Sequence, residues 1–192
     1  MEKRGWHSRG YLPHFDGNVT QFITLHLADS LPQSVLRKLE DEKQHGKLER
    51  YYDATFVENV DEYLDAGSGD CILSDPEVAA IIEAALRHYD GIRYELICWV
   101  IMPNHTHFLI RPYPDWALSA IIKDLKGYTA RQVNKPLSRN GPLWHPDYFD
   151  RFMRDQEHRS RTIRYIEQNP VKAGLCSKPE DWRFGSAYKS MR

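Results

Sequence analysis

The chain has 192 residues, 41 % of them hydrophobic and 28 % charged, with a net charge of −1, the balance of one ordinary globular domain. Its longest apolar run, Leu96 to Met102, is far short of the roughly 20 residues that cross a bilayer, so no membrane partner is expected. Met1 to Gly10 is polar and basic, without the apolar core of a secretory signal. Cys71, Cys98 and Cys176 are odd in number and widely spaced; they suit neither a disulfide framework nor a C-x-x-C metal pair, and point to a cytoplasmic protein. Residues 1–110 carry 10 Lys and Arg against 18 Asp and Glu, a net −8, whereas residues 111–192 carry 16 against 9, a net +7. One acidic and one basic half are consistent with a face that meets phosphate backbone and a face that does not.

In chain order, Val19 to Leu27 alternates and is rich in β-branched and aromatic residues, which predicts a first strand. Leu31-Pro32 opens a helical stretch to about Lys47, and a second polar helix covers about 48–66. Ser74-Asp75-Pro76-Glu77 is a helix start, and Val78, Ile81, Ile82, Ala85 and Leu86 continue it at helical spacing to about Tyr89. Ile92 to Met102 reads as a buried strand, Pro103-Asn104 as a turn, and His105 to Arg111 as the returning strand. Pro114-Asp115-Trp116 starts a helix with the stripe Leu118, Ile121, Ile122, Leu125, Tyr128, Thr129 and Gln132, broken by Asn134 to Gly141. A final strand is expected near 143–152, and a last helix from Asp155 to Gln168, stopped by Asn169-Pro170. This order predicts an α+β domain: a ferredoxin-like antiparallel sheet with helices packed on one face, plus a helical C-terminal extension. One domain over 1–192 is expected, its core about 17–135 and its extension about 136–192.

His105 and His107 are two apart on a predicted strand, so both imidazoles face the same way and can reach one cation. Alone the pair is a weak signal, since two polar side chains on an exposed sheet face have the same spacing. Tyr128 and Gln132 are four apart on a predicted helix and share a face. That helix is expected to deliver both toward the histidines, with the Gln132 oxygen as a third ligand. Two imidazoles and an amide suit Mg²⁺ or Mn²⁺ better than a closed structural zinc. An aromatic at stripe spacing is equally a core residue.

The segments Trp99 to Ile110 (WVIMPNHTHFLI) and Leu125 to Asn134 (LKGYTARQVN) resemble the HUH single-tyrosine transposases, and more closely the REP-associated tyrosine transposases of bacteria. The similarity continues in Gly141 to Arg154 (GPLWHPDYFDRFMR) and Tyr165 to Leu175 (YIEQNPVKAGL), reaches back to Gly10 to Leu27, and skips about 31–75. The motif's middle position, usually a bulky hydrophobe, is Thr106 here; Thr is strand-compatible and leaves the histidines in place.

The resemblance implies single-stranded DNA cleavage and strand transfer at hairpin-forming repeats, with a divalent metal and a covalent 5′-phosphotyrosine intermediate. Carried over, His105, His107 and Gln132 are the metal ligands and Tyr128 is the nucleophile. Lys123, Lys126, Arg131, Arg151 and Arg154 are expected to follow the DNA backbone, and Trp144 to stack on a base. Tyr148 and Phe149 are further stacking candidates. No nucleotide cofactor is implied, because a phosphotyrosine conserves the bond energy for rejoining. The chain is expected to act as a monomer or homodimer. The competing readings are a catalytically inactive repeat-binding protein, a replication or transfer nickase, and a metal hydrolase that uses water.

Overall fold

The computed structural model describes residues 6–7, 14–37 and 54–189. Two short strands, β1 (Trp6–His7) and β2 (His14–Phe15), pair antiparallel. The main sheet is built from β3 (Gln21–His26), β4 (Tyr94–Ile101), β5 (His105–Pro112) and β6 (Phe149–Phe152), in the order β4-β5-β3-β6. All neighbouring pairs are antiparallel, the ferredoxin-like arrangement expected. The fourth strand comes from beyond residue 135, inside the stretch expected to be an extension.

The helices α1 (Ala54–Asp65), α2 (Pro76–His88), α3 (Leu118–Asn134) and α4 (Gln156–Lys172) accompany the sheet. Residues 33–37 are helical too; the remainder of that expected helix and residues 48–53 of the next lie outside the described residues. Helix α2 crosses over from β3 to the parallel strand β4, and α3 from β5 to the parallel strand β6. Right-handed crossovers of this kind put both helices on one face. There Ile23, Leu25, Phe108 and Ile110 of the strands meet Ile82 and Leu86 of α2 and Ile121, Ile122 and Leu125 of α3 in the main core.

The last helix follows the final strand and is free of that rule. It covers the opposite face, where Phe22, Val100 and Leu109 pack with Ile166. It also runs through the expected stop at Asn169-Pro170 and ends at Lys172. Pro170 removes only one helical N–H so close to the end, and its ring is buried. The Leu175 amide donates to Pro170 O at 2.9 Å, and Gly174, at φ +72°, supplies the left-handed turn that closes the helix.

Strand β2 is fixed to β6 by a buried charge cluster. His14 Nδ1 lies 2.6 Å from Asp150 Oδ1, its Nε2 lies 2.8 Å from Asp147 Oδ1, and the ring stacks on Tyr148 at 4.0 Å. Burial alone would push the His14 pKa down, but the hydrogen bonds to Asp147 and Asp150 and their charges outweigh it and raise it to about 9. A folded-state value above the free value of 6.5 means that the protonated ring stabilises the fold below that pH, and that this contribution is lost as pH rises through about 9. Urea unfolding of wild type and His14→Gln should therefore differ most at pH 6 and converge above pH 9; a constant gap would show that the cluster acts by shape alone.

Candidate active site

The alternation of β5 divides its side chains between two layers. Phe108 and Ile110 enter the main core, whereas Leu109 packs on the other face, toward α4. His105 and His107 share the parity of Leu109 and therefore its face. Register places His26 opposite His105 and Thr24 opposite His107. Both motif histidines have no exposed surface.

Their hydrogen bonds fix the ring orientations. Asn104 Nδ2 donates to Leu64 O at 3.0 Å and Ser68 O at 2.9 Å, so its Oδ1 faces His105 Nδ1 at 2.8 Å. An amide oxygen only accepts, hence Nδ1 carries the proton and His105 Nε2 presents a lone pair. The Thr24 hydroxyl, 2.8 Å from His107 Nδ1, can donate or accept and serves either tautomer. The two Nε2 atoms stand 3.1 Å apart. Burial, then the neighbouring His107, holds the His105 pKa well below 6.5; burial, then the Lys172 charge, pushes His107 down to about 3. Both rings are thus neutral, and the carboxylates near them do not form ion pairs with them.

Helices α4 and α1 supply the surroundings. Tyr165 and Asn169 are four apart on α4 and share its inward face. The Tyr165 ring meets His107 at 5.8 Å between centroids, and its hydroxyl donates to Asp61 Oδ2. Asn169 is 1 % exposed, and neither its Oδ1 nor its Nδ2 has a hydrogen-bond partner. Asp61 Oδ1 lies 3.8 Å from His107 Nε2, and Asp65 Oδ1 lies 3.9 Å from His105 Nε2. Lys172 Nζ is 3.6 Å from Asp65 Oδ2. Among the described residues, no three His, Cys, Asp or Glu side chains are placed to hold a metal ion as they stand.

Tyr128 and Gln132 do not join this group. Thr129 takes the buried position on α3, accepting from Trp144 Nε1 at 2.8 Å, while Tyr128 is 48 % exposed and Gln132 is exposed. Tyr128 lines a groove of about 540 Å³ with Ala84, His88 and Tyr89 of the α2 region, across the sheet from the histidines. The expectation that α3 would carry both to the histidines is corrected. An apolar stripe packs on the apolar parity of β5, which is Phe108 and Ile110, and the histidines occupy the other parity. The missed signal is Tyr-x-x-x-Asn at 165–169, with the same spacing as Tyr128 and Gln132, in a stretch that carried part of the resemblance but was given no site residue.

A family model described as "Transposase IS200 like" matches residues 73–169, half of the chain. The chain belongs to the IS200-like transposase family. The matched stretch contains His105, His107, Tyr165 and Asn169 but not helix α1. Among relatives, a Haemophilus influenzae protein assigned to the REP-associated tyrosine transposases is 25 % identical over 126 residues, 60 % of this chain and 70 % of that one. The REP-associated tyrosine transposase of Escherichia coli K12 is 25 % identical over 101 residues, 51 % of this chain and 57 % of that one. The structure of a REP-associated tyrosine transposase bound to a REP hairpin shares the fold, with a TM-score of 0.56 and 18 % identity over 94 % of this chain and 81 % of that chain.

The side chains expected to contact DNA in this transposase are dispersed. Lys123 and Arg131 are exposed on α3, on the layer away from the histidines. Arg151 is half-buried on β6 and Arg154 is exposed just after it. Trp144, Tyr148 and Phe149 are buried; Trp144, tied to Thr129, is a core residue and presents no face to a base. Lys126 is also internal: its Nζ donates to His145 O at 2.5 Å, Pro146 O at 2.8 Å and Asp147 O at 3.4 Å. Burial lowers its pKa to about 8 against the pull of Asp147. Lys126→Met removes the donor from these carbonyls and is expected to lower unfolding free energy by about 1–3 kcal/mol. An unchanged urea midpoint would return this amine to the candidate DNA contacts.

Proposed function

We propose that this chain cleaves and rejoins single-stranded DNA at hairpin-forming repeats, with Tyr165 as the nucleophile. The observation that carries this reading is the Tyr165 hydroxyl, held by Asp61 with its ring against His107. The similarity to REP-associated transposases, one of them solved with a REP hairpin, supports the substrate class. The site lies within one chain, so a monomer suffices.

The residues present fit a divalent cation, Mg²⁺ or Mn²⁺. Neutral imidazoles offer lone pairs, and their 3.1 Å Nε2 separation is close to the roughly 3.0 Å between two donors at right angles about 2.1 Å from one ion. The buried Asn169 amide has no other partner. His105 Nε2, His107 Nε2 and Asn169 Oδ1 would hold the ion, which when bound supplies Lewis-acid polarisation of the scissile phosphate. Thr24 and Asn104 then accept from the Nδ1–H groups and orient the rings.

Tyr165 Oη attacks phosphorus in line, forming the phosphotyrosine bond as the bond to the 3′ oxygen breaks. An ordinary phenol has a pKa near 10, so its proton needs an acceptor, and Asp61 Oδ2 is hydrogen-bonded to it. The freed 3′ oxygen takes a proton from water. The half-exposed Lys172 ammonium places a positive charge beside this phosphate, and the exposed Arg154, Arg161 and Arg164 give the neighbouring surface the charge that a DNA backbone requires.

The test is covalent trapping on labelled single-stranded hairpin DNA with Mn²⁺, read on a denaturing gel. Wild type and Tyr128→Phe should give the protein–DNA adduct, and Tyr165→Phe and His105→Ala should give none. An adduct lost in Tyr128→Phe and kept in Tyr165→Phe would reverse the assignment. Hairpin binding without cleavage would favour the inactive repeat-binding reading. Cleavage without an adduct would leave a water-using hydrolase.

A further inference from the structure

We propose that Asp65 is an anionic ligand of the cation held by His105 and His107, so that helix α1 completes the metal site from outside the family-matched stretch. This inference rests on reading the histidine pair as a metal site.

Asp65 is the last residue of α1, and its side chain is 12 % exposed. Neither carboxylate oxygen accepts a hydrogen bond. Leaving a buried carboxylate without donors is costly, and its surroundings supply one charge, the Lys172 ammonium at 3.6 Å, an ion-pair contact beyond hydrogen-bond length. A carboxylate kept here for stability would be expected to have donors around it.

The neighbours of Asp65 are donors for a metal. His105 Nε2, which presents its lone pair toward His107 Nε2 at 3.1 Å by the Asn104 argument, is 3.9 Å from Asp65 Oδ1. Two donors about 2.1 Å from one ion lie about 3.0 Å apart at a right angle and about 4.2 Å apart when opposite. The observed separation falls between these limits without backbone movement. The buried, unpartnered Asn169 is an independent sign of a missing ligand, and it lies one turn from Lys172 on the same helix. Asp61 Oδ2 accepts from Tyr165, whereas neither Asp65 oxygen has a hydrogen-bond partner, which makes Asp65 the carboxylate with open coordination. A carboxylate added to two imidazoles and an amide also makes the donor set harder, which favours Mg²⁺ and Mn²⁺ over softer ions.

Lys172 separates the two roles only when it is combined with Asp65. Its ammonium also acts on His107 through space, so its removal alone relieves repulsion of a cation whichever role Asp65 has. If Asp65 is a ligand that Lys172 competes for, the gain from removing Lys172 is larger with Asp65 present than in Asp65→Asn, a coupling that a double-mutant cycle reads.

The experiment is calorimetric titration of the DNA-free protein with Mn²⁺, with thermal unfolding of each metal-free variant alongside. Asp65→Asn is expected to weaken binding about tenfold and Asp65→Ala about a hundredfold, without lowering metal-free stability. Lys172→Met is expected to bind several-fold tighter, and His105→Ala to show no site. Wild-type affinity in both Asp65 variants, with binding lost in His105→Ala, overturns the proposal and leaves the metal reading standing. Unchanged binding in His105→Ala overturns both. If Asp65→Ala does not fold, the isosteric Asp65→Asn decides: weaker binding than wild type, with a smaller gain from Lys172→Met, supports a ligand, and equal binding with an unchanged gain overturns it.

Discussion

The alternation of side chains along β5 is the constraint on which the rest of the molecule depends. Phe108 and Ile110 require an apolar layer, and α2 and α3 provide it. Once those two helices occupy that face, the histidines on the other parity need a different cover. Helix α4 supplies it, because it follows the last strand and is not bound by the handedness of a crossover. The core and the candidate site are thus two sides of one sheet, and each is specified by what the other excludes.

Burial of the histidine pair has an electrostatic consequence. In an apolar interior, an imidazole without a negative partner stays neutral. Neutrality suits ligands that must offer lone pairs. Around them stand a tyrosine held by an aspartate, an asparagine without a partner, and a second aspartate facing a lysine. Of these, the Asn169 amide and the Asp65 carboxylate lack hydrogen-bond partners, a cost to folding that the proposed ion would offset. By contrast, His14, with two carboxylates in contact, is satisfied within the protein and serves the fold.

Helix α1 separates family features from features of this chain. The stretch matched by the IS200-like family contains the histidines, Tyr165 and Asn169, and ends before Lys172. Asp61 and Asp65 come from the segment before it, which resembled nothing in the sequence reading. This helix therefore brings two carboxylates to 3.8 and 3.9 Å from the motif histidines.

The amino-acid sequence determined the four strands of the main sheet, though not the short pair β1 and β2, and with them the ferredoxin-like order, the shared face of His105 and His107, and the family. Period-two alternation and a contiguous H-x-H motif are local properties, and local properties are legible residue by residue. It did not determine which tyrosine meets the histidines. Both α3 and α4 carry a tyrosine and an amide four residues apart, and helical periodicity says only that each pair shares a face. The parity of β5 held part of the answer, since an apolar stripe must pack on Phe108 and Ile110, away from the imidazoles. The rest was decided by tertiary structure alone: α4 continues through Pro170 and lies on the second face, and α1 folds back to bring Asp61 and Asp65 beside residues 46 and 40 positions away in sequence. No local pattern encodes a contact between segments whose only common property is the layer of the sheet they cover.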